Sequence, residues 1–267
     1  MKSLKEMMDL QGRAALITGG AGHIGEALGQ ALAELGAAIA VLDLDAAACQ
    51  TVADRLHAEY GVSTLPLPID LNDEAAVRSV AANVQQQFGR LDILINNAAL
   101  VGTSELKGWA TPFAEQLSAT WRKALEVNLT APFVLIQACA DLLAASGHGT
   151  IINVGSIYGV VGPNMTLYKG TSMGNPAAYG ASKGGLMQLT RWLATNLAPA
   201  IRVNAITPGG VWRNQAASFV EHYTALTPLG RMAVEDDFKG AVAYLASDLS
   251  AYVTGHNLII DGGWTTW

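Results

Sequence analysis

Residues 18–25 read Thr-Gly-Gly-Ala-Gly-His-Ile-Gly, between a short apolar run at 14–18 and a stretch at 24–35 whose alanines and leucines recur at helical spacing. Glycines packed this densely between a strand pattern and a helix pattern mean a tight turn in which side chains do not fit. The same alternation continues along the chain. Apolar runs at 38–42, 64–69, 91–95, 149–154, 201–206 and 258–260 read as buried strands, and 46–60 and 74–88 as helices between the early ones. Buried strands joined by helices pair in parallel, because the crossover helix returns the chain to the same edge and covers a face of the sheet. The expectation is an α/β fold, a doubly wound parallel sheet of about seven strands with helices on both faces. With 51% apolar against 14% charged residues there is ample core, and no repeat or linker interrupts it. One domain over 1–267 is expected.

Charge and cysteine usage narrow the partners. A net charge of −6 without a Lys/Arg cluster argues against a nucleic-acid partner. Cys49 and Cys139 form no Cys-x-x-Cys pattern and no cluster with histidine, so neither a disulfide framework nor a metal site is indicated, and a reducing cytoplasm fits. Charges break up the first residues, and no later run reads as membrane-spanning, so no membrane partner is expected.

In a doubly wound sheet, ligands bind beyond the carboxyl ends of the strands. The glycine turn follows the first strand there, so Gly19, Gly22 and the backbone of His23, Ile24 and Gly25 are candidates to hold a pyrophosphate at the helix N-terminus. Tight packing alone would also place glycine at such a turn. Asp43 closes the second strand, about 20 residues on, where a carboxylate meets the adenosine ribose. It would bond a 2′-hydroxyl and repel a 2′-phosphate, and neither Leu44 nor His23 is a strong cation to offset that. NAD is therefore the expected cofactor. Asp70, with Leu71 beside it, follows the third strand and is placed for the adenine edge or, alternatively, as a helix N-cap. Asn97 and Ala98, in Asn-Asn-Ala-Ala after the fourth strand, offer a small-residue passage beside the cofactor.

Tyr179 is followed by Lys183 in Tyr-Gly-Ala-Ser-Lys, and no other tyrosine has a lysine at that offset. On a helix the two share a face, and a cation beside a phenol favours phenolate, which makes the pair a candidate acid/base device. Alone the spacing is common, and it also suits a solvated helix face.

Taken in order, Thr18-Gly19 to Gly25, Asp43, Asp70, Asn96-Asn97-Ala98, Asn128, Ser156, Tyr179-x-x-x-Lys183 and Pro208-Gly209 resemble the short-chain dehydrogenase/reductase family over nearly the whole chain. The resemblance implies a Rossmann fold and a catalytic tetrad. Tyr179 would exchange the proton of the substrate oxygen, and Ser156 would polarise that oxygen. Lys183 would lower the Tyr179 pKa and hold the nicotinamide ribose, while Asn128 would anchor a water in a proton relay. Backbone after Pro208 and Gly209, at Val211, would meet the nicotinamide carboxamide. The family's tail, matched at 226–267, further implies a homo-oligomer, tetramer or dimer, with helices around 120–143 and 179–197 packed between subunits and the terminal Gly-Gly-Trp-Thr-Thr-Trp buried against a neighbour.

The chain departs from the family pattern at His23, where a glycine is usual, and at Arg213, where a threonine is common; Arg213 could bind an anionic substrate group or be a solvated loop residue. It departs a third time in the long interval from Ser156 to Tyr179. The insertion, around 160–178, carries Asn164, Thr166, Tyr168, Lys169, Thr171, Ser172 and Asn175, which suit a sugar, polyol or similar polar alcohol as substrate. A surface loop used in subunit contacts is the equal alternative. The leading expectation is an NAD(H)-dependent oxidoreductase acting on a polar secondary alcohol or ketone. NADPH-dependent reduction of a 3-oxoacyl thioester, and a non-catalytic nucleotide sensor, are the competing readings.

Overall fold

The structure is a computed structural model describing residues 1–102, 104–171 and 173–267. Ser172 of the insertion lies outside the described residues. After a short helix α1 (Leu4–Met8), strands β1 (Ala14–Thr18), β2 (Ala38–Asp43) and β3 (Thr64–Pro68) alternate with α2 (His23–Glu34), α3 (Ala46–Tyr60) and α4 (Glu74–Phe88). β4 (Ile93–Asn96) leads to α5 (Ser118–Leu125) and α6 (Ala131–Ala145), β5 (Thr150–Val154) to α7 (Ala177–Asn196), and β6 (Arg202–Pro208) to α8 (Ala217–Ala225) and α9 (Lys239–Ala246). β7 (Asn257–Ile260) closes one seven-stranded sheet ordered β3-β2-β1-β4-β5-β6-β7, with every pairing parallel.

Both faces of the sheet are buried, which is why its strands read as unbroken apolar runs. Successive residues go to opposite cores: Ile17, Ile93, Ile95 and Ile152 pack with Leu28, Leu56 and Leu245 of α2, α3 and α9, while Leu16, Leu94 and Ile151 pack with Val80, Leu135 and Leu193 of α4, α6 and α7. β3 contains Pro66 and Pro68, which cannot donate to a ladder; its place at the sheet edge accommodates them. The stretch Ser118–Ala145 is long and apolar enough to cross a membrane, contrary to the sequence expectation, but half of its most apolar window is buried inside the fold against α4 and α7.

Strand order reverses between β1 and β4, and the crevice this opens lies beyond Thr18 and Asn96, which are in register. Here the glycines have separate reasons. Gly19 adopts φ +62°, a conformation that favours glycine. Gly25, in the first turn of α2, lies so close to the preceding turn that a Cβ would fall 2.0 Å from the Gly19 carbonyl oxygen and 2.8 Å from Asn97 Nδ2.

Gly25→Ala should therefore force α2 away from β1 and destabilise the chain by about 2 kcal/mol or more, as overpacking at a rigid backbone contact does. Thermal unfolding followed by circular dichroism measures this, and an unchanged midpoint would refute the close contact.

Candidate active site

The glycine turn is fixed from below and left open above. Thr18 Oγ1 accepts the N–H groups of Asn97 at 3.0 Å and Ala98 at 3.1 Å, and Asn97 Nδ2 donates to the carbonyls of Thr18 at 3.1 Å and Gly19 at 3.0 Å. Asn97 is thus a staple between the two strand ends, a job its position after a strand did not reveal. Gly22 is the N-cap of α2 and, lacking a side chain, caps none of the first N–H groups of the helix. Uncapped N–H groups at the positive end of a twelve-residue helix form an anion site. Asp43 reaches into the same turn, Oδ2 accepting Ala21 N–H at 3.1 Å and Oδ1 accepting Leu44 N–H at 2.8 Å. An ionised carboxylate has about four lone-pair sites, so these bonds orient it while leaving acceptor capacity for a diol.

Leu44 is exposed beside Asp43, and Leu71 is buried in the core. Asp70 accepts both the backbone N–H of Asn72 at 2.9 Å and its Nδ2 at 2.7 Å, and these bonds hold its carboxyl below the usual carboxylate range. The N-cap of α4 is Asp73, not Asp70. His23 is exposed, with Nδ1 3.9 Å from a Glu235 oxygen, and Arg213 Nη1 contacts the same oxygen at 2.6 Å. Arg213 also donates to the Trp212 carbonyl at 2.7 Å. It lines the cavity, yet its charge is engaged by Glu235 rather than free for an anion.

Ser156, Tyr179 and Lys183 come together at the end of β5. A 3₁₀ turn, Ile157–Gly159, packs against α7, where a Cβ on Gly159 would lie 2.8 Å from the Lys183 backbone. Tyr179 and Lys183 share one face of α7, as their spacing requires. Lys183 is buried and its Nζ donates to the Val154 carbonyl at 2.7 Å. Burial pushes its ammonium down to about 8. Burial also raises the Tyr179 phenol, against the lowering effect of its hydrogen bond with Ser156, and Tyr168 raises it further. Lys183, one helical turn on from Tyr179, directs one of its N–H groups to the strand end at Val154.

Asn128 is buried in a π-helical turn, Glu126–Thr130, between α5 and α6. Residue 132 is proline, so the donor that an α-helix would return to the Asn128 carbonyl is missing. The Asn128 side chain bonds the backbone of Leu100 twice, accepting at 2.7 Å and donating at 3.0 Å, and Nδ2 also donates to Ser182 Oγ at 3.0 Å. Ser182 in turn donates to the Tyr179 carbonyl at 2.9 Å. Ser182 thereby couples the π-helical turn to the catalytic helix. It was visible inside Tyr-Gly-Ala-Ser-Lys, but its partner is 54 residues away.

Ser156, Tyr179 and Lys183 line a cavity of about 560 Å³ that also reaches Ile24, Asn97, Pro208, Gly209 and Val211; Asn128 and Ser182 are not on its wall. Val211 bridges to Ala233, and the Tyr223 hydroxyl accepts the Gly210 N–H at 2.5 Å, which fixes the loop after β6. The insertion forms the other wall but divides its polar residues. Asn164 and Thr166 bond each other and Lys169 is exposed, while Tyr168, Thr171 and Asn175 face the cavity. Behind them stands an aromatic cluster: Tyr168 packs on Phe219 at 5.5 Å, Phe219 on Tyr223 at 5.9 Å, and Tyr223 on Trp264 at 5.9 Å. Trp264 of the terminal segment is therefore buried within its own chain, whereas Trp267 is exposed.

Comparison with known proteins finds relatives over nearly the whole chain. The family model described as enoyl-(acyl carrier protein) reductase matches residues 19–265. A cis-4-hydroxycyclohexanecarboxylate dehydrogenase of Sinomonas cyclohexanicum is 35% identical, over 95% of this chain and 96% of the relative. The crystal structure of a gluconate 5-dehydrogenase from Burkholderia cenocepacia, in complex with NADP and tartrate, is 31% identical, covers 99% of this chain and 100% of its own, and superimposes with a TM-score of 0.88. A short chain dehydrogenase from Leptospira borgpetersenii with bound NAD+ is 33% identical, covers 99% and 96%, and gives a TM-score of 0.82.

Lys183 leaves a pH signature on stability. Its folded value of about 8 lies below the ordinary 10.5, so between them the unfolded chain binds more protons and stability rises with pH. Below that window the buried amine costs about 3 kcal/mol. Lys183→Met should therefore show its largest stability advantage over the wild type near pH 7, shrinking toward pH 10.5, in denaturant unfolding across that range. A difference that stays constant with pH would refute the shift.

Proposed function

The chain belongs to the short-chain dehydrogenase/reductase family, and on that premise we propose that it is an NAD(H)-dependent enzyme acting on a polar, carbohydrate-like or polyol secondary alcohol. It is an oxidoreductase interconverting a secondary alcohol and a ketone, as its relatives are. Those relatives bind nicotinamide cofactors of both kinds, one with NADP and one with NAD+. The observation that carries the choice of NAD is Asp43, whose carboxylate is held at the glycine turn by two N–H bonds with acceptor capacity left over. Glu235 adds a second negative charge beside His23, which further disfavours a 2′-phosphate there.

The site fits a dinucleotide. The uncapped N-terminus of α2 suits a pyrophosphate, and the Gly19–Gly25 contact keeps the approach free of side chains. When bound, the nicotinamide supplies the hydride acceptor or donor. Tyr179 exchanges the proton at the substrate oxygen, and burial keeps its phenol protonated, the form needed to deliver a proton to a ketone. Ser156 polarises the same oxygen. Lys183 gives one N–H to Val154 and has two more for ribose hydroxyls. Asn128 would anchor a water that refills the relay. Asp70, Leu71 and Ala98 border the adenine side, and Val211 the carboxamide. The polar substrate class rests on Ser156, Tyr168 and Asn175 at the cavity wall.

Cys49 and Cys139, both buried and unpaired, suit a reducing cytoplasm. The exposed rings of Trp121, Phe133 and Trp192 on α5, α6 and α7 support an assembly of several copies, tetramer or dimer. Light scattering on the eluting protein should give a multiple of the chain mass, and a single-chain mass at micromolar concentration would refute assembly.

Titration of nicotinamide fluorescence should show NADH bound at least about tenfold more tightly than NADPH, with Asp43→Ala removing the preference. A wild-type preference for NADPH would overturn the role of Asp43.

A further inference from the structure

The Tyr168 and Tyr158 hydroxyls lie 2.9 Å apart, and both rings line the cavity. Two phenols carry two protons, and one hydrogen bond between them uses only one. Asn175 Nδ2 donates to the Tyr168 oxygen at 3.4 Å, which directs the Tyr168 proton toward Tyr158 and leaves the Tyr158 proton over. Among the described residues neither phenol donates to a further protein acceptor.

We infer that Tyr158 is a substrate-binding residue that donates its hydroxyl proton to a second oxygen of the substrate, apart from the oxygen that reacts, with Tyr168 and Asn175 as its positioning residues. This rests on the oxidoreductase reading above and narrows its substrate to alcohols bearing another hydroxyl, ether or carboxylate oxygen.

Several observations converge on that atom. Tyr158 follows Ser156 by two residues, and its backbone N–H donates to Ser156 Oγ at 3.2 Å, so the donor is built into the same turn as the group that polarises the reacting oxygen. Its ring packs edge-to-face with Trp264, 6.2 Å between ring centroids at 85°, which helps to fix it in place. Burial, followed by the proximity of Tyr168, holds the phenol far above the ordinary tyrosine range, so it stays a donor at any working pH. Three other polar side chains on the wall, Thr171, Gln215 and Arg213, are committed elsewhere. Thr171 donates to the Tyr168 carbonyl at 2.8 Å, Gln215 bonds Val211 and Arg213, and Arg213 pairs with Glu235. A buried donor left without an acceptor favours a substrate that supplies one over a substrate that does not.

The test compares alcohols that differ only in the second oxygen: cyclohexanol against the three cyclohexanediols, and sec-butanol against 2,3-butanediol, each with NAD+ and NADP+. The wild type should favour at least one oxygenated member over its mono-alcohol by about tenfold in kcat/KM. Tyr158→Phe, which keeps the ring packing, should erase that preference through KM while leaving the mono-alcohol within about twofold, and Tyr168→Phe should give a smaller loss confined to the oxygenated substrate. Equal losses on both members or no loss on either would overturn the inference while leaving the proposed function standing, whereas oxidation of the mono-alcohols alone would overturn the inference and the polar-substrate reading with it. Oxidation of none of them with either dinucleotide would remove the proposed polar-alcohol activity and this inference together.

Discussion

The approach of α2 to the end of β1 is the contact on which the rest of the site depends. A helix can begin so close to a strand only if no Cβ intervenes, and at Gly25 the available space is filled by the carbonyl of Gly19. That contact sets the crevice at the switch in strand order, and Thr18 and Asn97 clamp it from the neighbouring strand end. The uncapped helix terminus and the Asp43 carboxylate then face the same space because both hang from this turn. Moving α2 outward would separate the helix N-terminus from the Asp43 carboxylate.

On the far side of the crevice the architecture relies on polar bonds in buried places. Lys183 is held by Val154, Asn128 by Leu100, and Ser182 ties Asn128 to the backbone of Tyr179. Each bond satisfies a group that burial would otherwise leave unpaired, so the catalytic helix, the π-helical turn and the end of β5 keep one relative placement. Pro132 shapes this arrangement by withholding a donor from the helix at Asn128. The insertion and α8 cover the opening with aromatic rings, which supply a firm wall with few free polar atoms.

Much of this was legible in the chain. Apolar runs marked all seven strands because a sheet covered on both faces needs apolar residues on both, and the strand ends fell within a few residues of their expected places. The helices before and after Asn128 and those of the C-terminal third were less clear, since α6 is apolar nearly all round and shows little periodicity. Asp70 was a divided reading, and its bonds run to Asn72 while Asp73 caps the helix. Ser182 lies inside Tyr-Gly-Ala-Ser-Lys and Tyr158 two residues after Ser156, but nothing along the chain marks either, because their significance depends on partners distant in sequence or on ring packing.

The sequence by itself determined the parallel sheet, the glycine turn and which side chains could carry proton transfer, since these follow from periodicity, steric exclusion and residue chemistry over short spans. Only the tertiary structure decided where those side chains point. It turned Lys183 to Val154, engaged Arg213 with Glu235, and sorted the insertion into an exposed polar part and a wall facing the cavity. These outcomes depend on which buried polar group finds a partner across the fold, and partners that meet in space carry no mark of one another along the chain.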